Sequence, residues 1–410
     1  MQSTRATIHL SLFFTAIILL LFGFLFSRAM LSIATFMIIA NGLLQADWKE
    51  RWPLFLQQKY LVGISCLFIL PFISGLWSHD STVWLHAMGD KLPLLLMPFA
   101  LVIQKGFEKK QFVFFSLLWI LLLFAGTLWS GLQYLQQKDL YNNLYRFSKV
   151  IPTWADNDHI RFSMGMIISI LLWLKLEEWK AIHSSLLVWL MRAVMLWFIL
   201  FLHIMGAKTG LIGLYLIIVP LILWQLFTTG KKSMAIATLV IACSLPVVAY
   251  QLLPTFKTRM HYILYDRDNW KSENFSGDFS DGNRLLSMQS GWYVFQHNWL
   301  TGVGYGDIKT ETSKWYDVHA PAVAIPERYL PLNQWITAGS GAGIGAVLLF
   351  TVIILMPFFS KQWQQNKQAM AFVIFMNIVF LYECTIDDQF GVFIFSFFTL
   401  YWHLANQLKT

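Results

Sequence analysis

Charge is scarce in this sequence. Asp, Glu, Lys and Arg make up 13% of it, against roughly 25% in soluble domains. Hydrophobic residues make up 57%, and the mean hydropathy is +0.56. Such a chain cannot be a soluble globular protein, and its formal charge of +8 does not point to nucleic acid, because most of the cations fall in short connections between apolar runs. Cysteine is nearly absent. Cys66, Cys243 and Cys384 all lie in or beside apolar runs, without the spacing of a metal site or a disulfide framework, so they are expected to pack between helices. Tandem repeats are lacking, as are the short alternating segments of a membrane β-barrel. No small-x-small cleavage site follows the apolar run from Ile8 to Phe26, which therefore reads as a retained first helix rather than a signal peptide.

What the chain does have is apolar runs long enough to cross a bilayer. About twelve are expected, centred on 8–26, 30–45, 60–77, 91–104, 112–134, 160–176, 185–205, 209–228, 233–253, 332–357, 369–385 and 389–406. The fourth is short and holds Pro93 and Pro98, so it is expected to be kinked or partial. The fold class is all-α: one polytopic membrane helix bundle spanning 1–410, with one large outer loop between the ninth and tenth helices.

Basic residues in short loops mark the cytoplasmic side. With the N-terminus and Arg5 inside, the inner connections hold Lys49, Arg51 and Lys59; Lys105, Lys109 and Lys110; Lys175 and Lys180; Lys231 and Lys232; Lys361 and Lys367. The C-terminal Lys409 is then inside too. Arg192, near the inner end of the seventh run, is expected to snorkel.

Two outer segments break this pattern. One is 135–159, with Lys138, Arg146 and Lys149, leading into His159 and Arg161 at the mouth of the sixth helix. The other is 255–331, with eight Lys/Arg and nine Asp/Glu. It is rich in Trp, Tyr and Phe, which disorder is not. Leu285, Met288, Trp292 and Phe295 recur at helical steps, so this stretch is expected to form an amphipathic helix along the membrane surface.

Three cations stand at the outer boundary. Arg284 opens the surface helix, where a cation opposes the helix dipole unless an anion is present; otherwise it pairs with Asp281 or Asp278. Lys208 follows the seventh helix in G-A-K-T-G-L-I-G. Arg161 begins the sixth. Guanidinium groups bind phosphate oxygens bidentately, and lysine acts as a point charge. Gly302, Gly304 and Gly306 read as a tight turn with backbone N–H groups near a site, not a nucleotide loop, since no strand precedes them. Asp266-Arg267-Asp268 has the form of a metal-binding D-x-D, but no metal is expected. Gly339, Gly341, Gly343 and Gly345 read as a close-packing helix face.

The order of these pieces resembles the bacterial O-antigen ligase and O-antigen polymerase family. The carrying residues are Arg284 and Trp292; then Asn298-Trp299-Leu300-Thr301-Gly302-Val303-Gly304; then Leu332-Asn333-Gln334-Trp335-Ile336; then Gly343 and Gly345. Upstream, Ala207-Lys208-Thr209-Gly210-Leu211-Ile212 resembles the family's S-R-x-G-L-L, with lysine in the arginine place. The resemblance implies an inverting, metal-independent glycosyltransferase without a cofactor, in the inner membrane with its active site in the periplasm. Its donor would be a glycan on undecaprenyl pyrophosphate, and its acceptor lipid A-core for a ligase or another lipid-linked glycan for a polymerase. Arg284, Lys208, Arg161 and Arg259 are expected to hold the pyrophosphate. Trp292, Gly302, Gly304 and Asn333 are expected to be motif residues of structural weight. Where the family has its histidine base, this chain has Leu332, which cannot accept a proton. His319 or Glu327, earlier on the same side, is expected to replace it. The alternatives are an O-antigen or exopolysaccharide polymerase with the same donor, and a secondary transporter, which would carry repeated halves and midplane polar sites.

Overall fold

The computed structural model of the protein describes residues 2–45, 48–102, 107–147, 149–155, 157–271 and 280–408. Lys105, Asp278 and Lys409, named above, fall outside these residues. Among the described residues every regular element is helical.

Among the described residues, ten helices are long and apolar enough to cross a membrane. Nine come in succession: α1 (Arg5–Phe26), α2 (Arg28–Gln45), α3 (Lys59–Leu76), α4 (Ser81–Val102), α5 (Lys109–Gln136), α6 (His159–Glu178), α7 (Ser185–Met205), α8 (Lys208–Thr228) and α9 (Lys232–Leu252). The large insertion follows as three helices: α10 (Pro254–Lys271), α11 (Ser280–His297) and α12 (Ile308–His319). The tenth long helix is α13 (Gln334–Phe359), and the chain closes with α14 (Lys367–Phe380) and α15 (Gln389–Gln407).

The expected count of about twelve is therefore not met by length and hydropathy. The last two expected spans are helices, but neither is among the ten. α14 has 14 residues, about 21 Å at the helical rise, short of a hydrocarbon core of about 30 Å. α15 is polar for a span because protein, not lipid, surrounds it: Ser396, Thr399 and His403 are buried. The fourth span begins at Ser81, ten residues before the expected start. Asp80 accepts the Val83 N–H at 2.9 Å and so nucleates the helix early, with Pro93 and Pro98 inside it.

α6 lies deepest, with 78% of its apolar window buried. Between lipid-soluble helices there is no hydrophobic drive, so packing and internal hydrogen bonds must hold the bundle. Aromatic rings supply much of that packing. Trp119 on α5 meets Phe24 on α1 at 5.2 Å and Phe398 on α15 at 4.9 Å.

The glycines of the insertion and of α13 meet each other. α13 breaks at Ala342 and Gly343, where φ reaches +72° at the glycine. The break frees carbonyls and N–H groups that segment 299–304 then satisfies. Val303 donates to Ser340, Gly304 to Gly341, and Ile344 back to Trp299. A Cβ on Gly343 would sit 2.2 Å from the Leu300 carbonyl oxygen. Gly339, Gly341 and Gly343 thus pack on the insertion, and Gly345 alone of the four faces a membrane helix, at Leu70 of α3. Asn333 caps α13, accepting the Ile336 N–H at 3.0 Å.

Candidate active site

The ends of α6, α8 and α14 meet the starts of α10 and α11 at one end of the bundle. They enclose a cavity of about 700 Å³. Lys149, Arg161, Lys208, Arg259 and Arg284 line it, with the carboxylates Asp281, Glu327 and Glu383. Five cations against three carboxylates leave the wall net positive.

Each cation is held by a distinct local device. The α7–α8 turn passes through Gly206, at φ +62°, which only glycine adopts without strain. Tyr145 donates to the Met205 carbonyl at 2.8 Å and Thr255 to that of Ile204 at 2.7 Å. These bonds satisfy the end of α7 and fix α10 against the turn, setting Arg259 beside Lys208. Arg161 follows Asp158, which caps α6 through the Ile160 and Arg161 N–H groups.

The carboxylates are shared among these cations. Glu383, 3% exposed, accepts from Arg284 Nη1 at 2.6 Å and lies 3.8 Å from Arg161. Arg161 also pairs with Asp388, and Lys208 with Asp281. Arg284 therefore pairs with Glu383, not with Asp281. Asp266 accepts the N–H groups of Asp281 and Gly282 at 2.6 and 3.2 Å, so the first residue of the D-x-D fixes the start of α11. Asp268 turns instead to exposed Arg267, and the two carboxylates do not converge. Burial raises the Asp266 carboxyl above its usual range, opposed by the two N–H donors. Burial lowers the Arg259 guanidinium from its usual value, opposed by Asp281, Tyr145 and Tyr262 and reinforced by Arg284. Arg259 is thus a cation in a site that disfavours charge, and a bound anion would relieve it.

Of the two candidate bases, the structure brings one to the cations. Glu327 lines the cavity, and its Oε2 is buried without a hydrogen-bond partner. The turn Ile325–Glu327 is tied down by the next residue. Arg328 donates to the Val323 and Ser313 carbonyls at 3.2 and 3.1 Å and to Asp317 at 2.7 Å. His319 does not line the cavity. Its exposed ring stacks on Trp315 at 4.6 Å and its Nδ1 bonds the Trp315 carbonyl. Leu332 lines the wall beside Glu327.

The remaining motif residues serve the scaffold. The N–H groups of Gly302 and Gly304 are spent on Asn298 and Gly341, not turned to the cavity. Asp307, next to this turn, accepts the N–H groups of His79 and Asp80 at 2.7 and 3.1 Å, anchoring the turn to the α3–α4 connection. On α11 the face packed inward mixes small residues, Gly282, Ser287, Ser290 and Gly291, with Leu286 and Val294. Of the expected apolar face, Leu285 and Trp292 are exposed, whereas Phe295 packs against Gly339 of α13.

The sequence reading missed the strap between α14 and α15. Glu383, Asp387 and Asp388 sit there within six residues of an otherwise apolar stretch, a signal that was available. Asp387 binds Lys91 of α4, 1% exposed, at 2.5 Å and accepts from Gln334 at 2.6 Å. An unpaired ion at that depth would cost several kcal/mol.

No curated protein matches the chain. Residues 193–351 match the family model for O-Antigen ligase, a stretch from α7 to α13 that holds Lys208, Arg259, Arg284 and Glu327 and excludes Arg161 and the strap. Members of that family are glycosyltransferase-like enzymes acting on lipid-linked glycans at a bilayer. Residues 193–351 are thus similar to the O-antigen ligase family, and that match supports an assignment to the O-antigen ligase/polymerase family.

Proposed function

We propose that this protein is a ligase-type glycosyltransferase that moves a glycan from undecaprenyl pyrophosphate to lipid A-core. The observation that carries the reading is the net-positive cavity with one unpaired carboxylate oxygen, Glu327 Oε2, in its wall. Arg161, Lys208, Arg259 and Arg284 bind the pyrophosphate and stabilise the charge that grows on it as it departs. Glu383 and Asp281 hold these cations in place before the donor arrives. The acceptor hydroxyl attacks the anomeric carbon from the face opposite the phosphate. Its proton passes to Glu327, the new C–O bond forms, and the old sugar–phosphate bond breaks with its electron pair leaving on the pyrophosphate. A single displacement of this kind inverts the anomeric centre. Protein cations supply the charge neutralisation, so transfer is expected to persist in EDTA.

The cavity would face the periplasm of a bacterial inner membrane, with both termini cytoplasmic. The basic connections at the opposite end of the bundle, such as Lys231-Lys232 and Lys361, support that orientation.

Deletion of the gene, with gel analysis of lipopolysaccharide and lipid-linked glycans, tests the reading. Long glycans accumulating on undecaprenyl pyrophosphate, with bare core, are the expected result. Core capped by a single repeat would make the protein a polymerase instead. Unchanged glycans in both pools would overturn the assignment to this pathway.

A further inference from the structure

A second cavity, of about 320 Å³, opens between α2, α4 and α15. None of its lining residues lines the cationic cavity. Its wall is a vertical strip on three helices: Leu31, Thr35 and Ile39 on α2; Gly89, Pro93 and Met97 on α4; Gln389, Val392 and Ser396 on α15. Steps of three and four residues keep each set on one helix face. The eight helical steps from Leu31 to Ile39 give the strip a depth of about 12 Å.

The crevice is amphipathic along its length. Its mouth is polar: Gln389 donates to Ser32 Oγ at 2.6 Å and to the Arg28 carbonyl at 3.1 Å, and His86 lies 3.6 Å from Asp90. Below the mouth the walls are Ile39, Met97, Val392 and Phe393. Arg28, its guanidinium 4.9 Å over the Phe390 ring, stands at the end of the bundle where short connections carry few cations. The mouth is joined to the cationic cavity by one piece of chain. Asp388 pairs with Arg161 in that cavity, and the next residue, Gln389, lines the crevice.

We propose that this crevice binds one hydrocarbon chain of the acceptor lipid, with the acceptor's head group lying at Arg28 and Gln389. The inference rests on the reading above, in which two lipid-anchored substrates meet. The cationic cavity holds the donor's pyrophosphate, and an acceptor chain seated across the strap brings its hydroxyl to the same end of the bundle. A polar mouth over a chain-deep apolar slot is the shape such a lipid presents.

Gly89 makes the test clean, because a Cβ built there meets no atom within 4 Å. Gly89→Trp therefore introduces an indole into the slot from a backbone position where the new Cβ meets no neighbour. The full-length protein, purified in lipid nanodiscs, would be assayed with the acylated acceptor and with its deacylated analogue. Farnesyl pyrophosphate binding would report the donor side. The expected result is a KM for the acylated acceptor raised tenfold or more, with the deacylated acceptor and farnesyl pyrophosphate binding unchanged. Native mass spectrometry gives a readout independent of turnover: the wild type should retain the acceptor glycolipid over phosphatidylethanolamine, and Gly89→Trp should not. An unchanged KM, an equal loss with the deacylated acceptor, or equal retention of phosphatidylethanolamine would each overturn the proposal. Loss of farnesyl pyrophosphate binding would also overturn it, by assigning the crevice to the donor chain. Full transfer by Arg284→Ala would instead overturn the cavity reading and leave the lipid-retention result standing.

Discussion

Two regions of this protein look functional in the sequence, and the structure gives them opposite characters. The glycine seam, from Gly302 to Gly306 and from Gly339 to Gly345, is closed: the backbone of 299–304 is paired with the break in α13. The cationic cavity is open, with a net-positive wall and one buried carboxylate oxygen without a partner. The seam resembles a site because close backbone approach and ligand binding both demand glycine. The cavity matches no single continuous motif, because its charges come from separated stretches of chain. Glycine patterns here report packing, and scattered cations report chemistry.

The sharpest way to break this comparison is at Glu327. Glu327→Gln keeps the shape of the wall and removes the base, so kcat should fall by about 10²–10⁴ with farnesyl pyrophosphate binding intact. A variant with normal kcat would exclude Glu327 as the base. Arg284→Ala should cost about 10²–10³ in transfer. Arg284→Lys should recover only part of it, because the bidentate fork is lost. Membrane yield and a thermal melt check that the variant is folded, since Glu383 loses its closest cation.

The seam should answer differently. Gly343→Ala forces a side chain into an extended positive-φ backbone that is essentially glycine-only, about 1–3 kcal/mol, and against the Leu300 carbonyl. The expected outcome is a lower melting temperature and less folded protein, with normal KM in what survives. A stable but inactive Gly343→Ala would put the seam in the site after all.

Smaller effects separate position from chemistry. Arg328→Ala should loosen the turn that carries Glu327 and lower kcat by about 10- to 10²-fold without changing donor binding. An equal loss of farnesyl pyrophosphate binding would mean that Arg328 shapes the whole cavity. His319→Ala should leave transfer within about twofold, as surface changes generally do. A large loss would return His319 to the list of bases.

Much of this was legible before any coordinates. The all-helical class followed from hydropathy, the α11 helix from its three- and four-residue steps, and three of the five cavity cations, Arg161, Lys208 and Arg284, from their stations at helix ends, with Arg259 implied by the family resemblance. Arg284, Lys208, Arg161 and Arg259 do line one cavity. The partner of Arg284 was not legible, because Glu383 lies 99 residues away. Nor was the packed face of α11. Sequence periodicity singles out bulky residues, whereas Ser287, Ser290 and Gly291 let α13 approach and leave Trp292 outward.

By itself the sequence determined that the chain is helical and built for a bilayer. A backbone surrounded by hydrocarbon must satisfy its own hydrogen bonds, and the long apolar runs leave no other way to do so. Only the tertiary structure decided which charges work together. Charge pairing depends on distance in space, and Arg161, Arg284 and Glu383 become neighbours only when α6, α11 and the strap after α14 close on one cavity. The tertiary structure likewise places Glu327, and not His319, in the wall beside the cations.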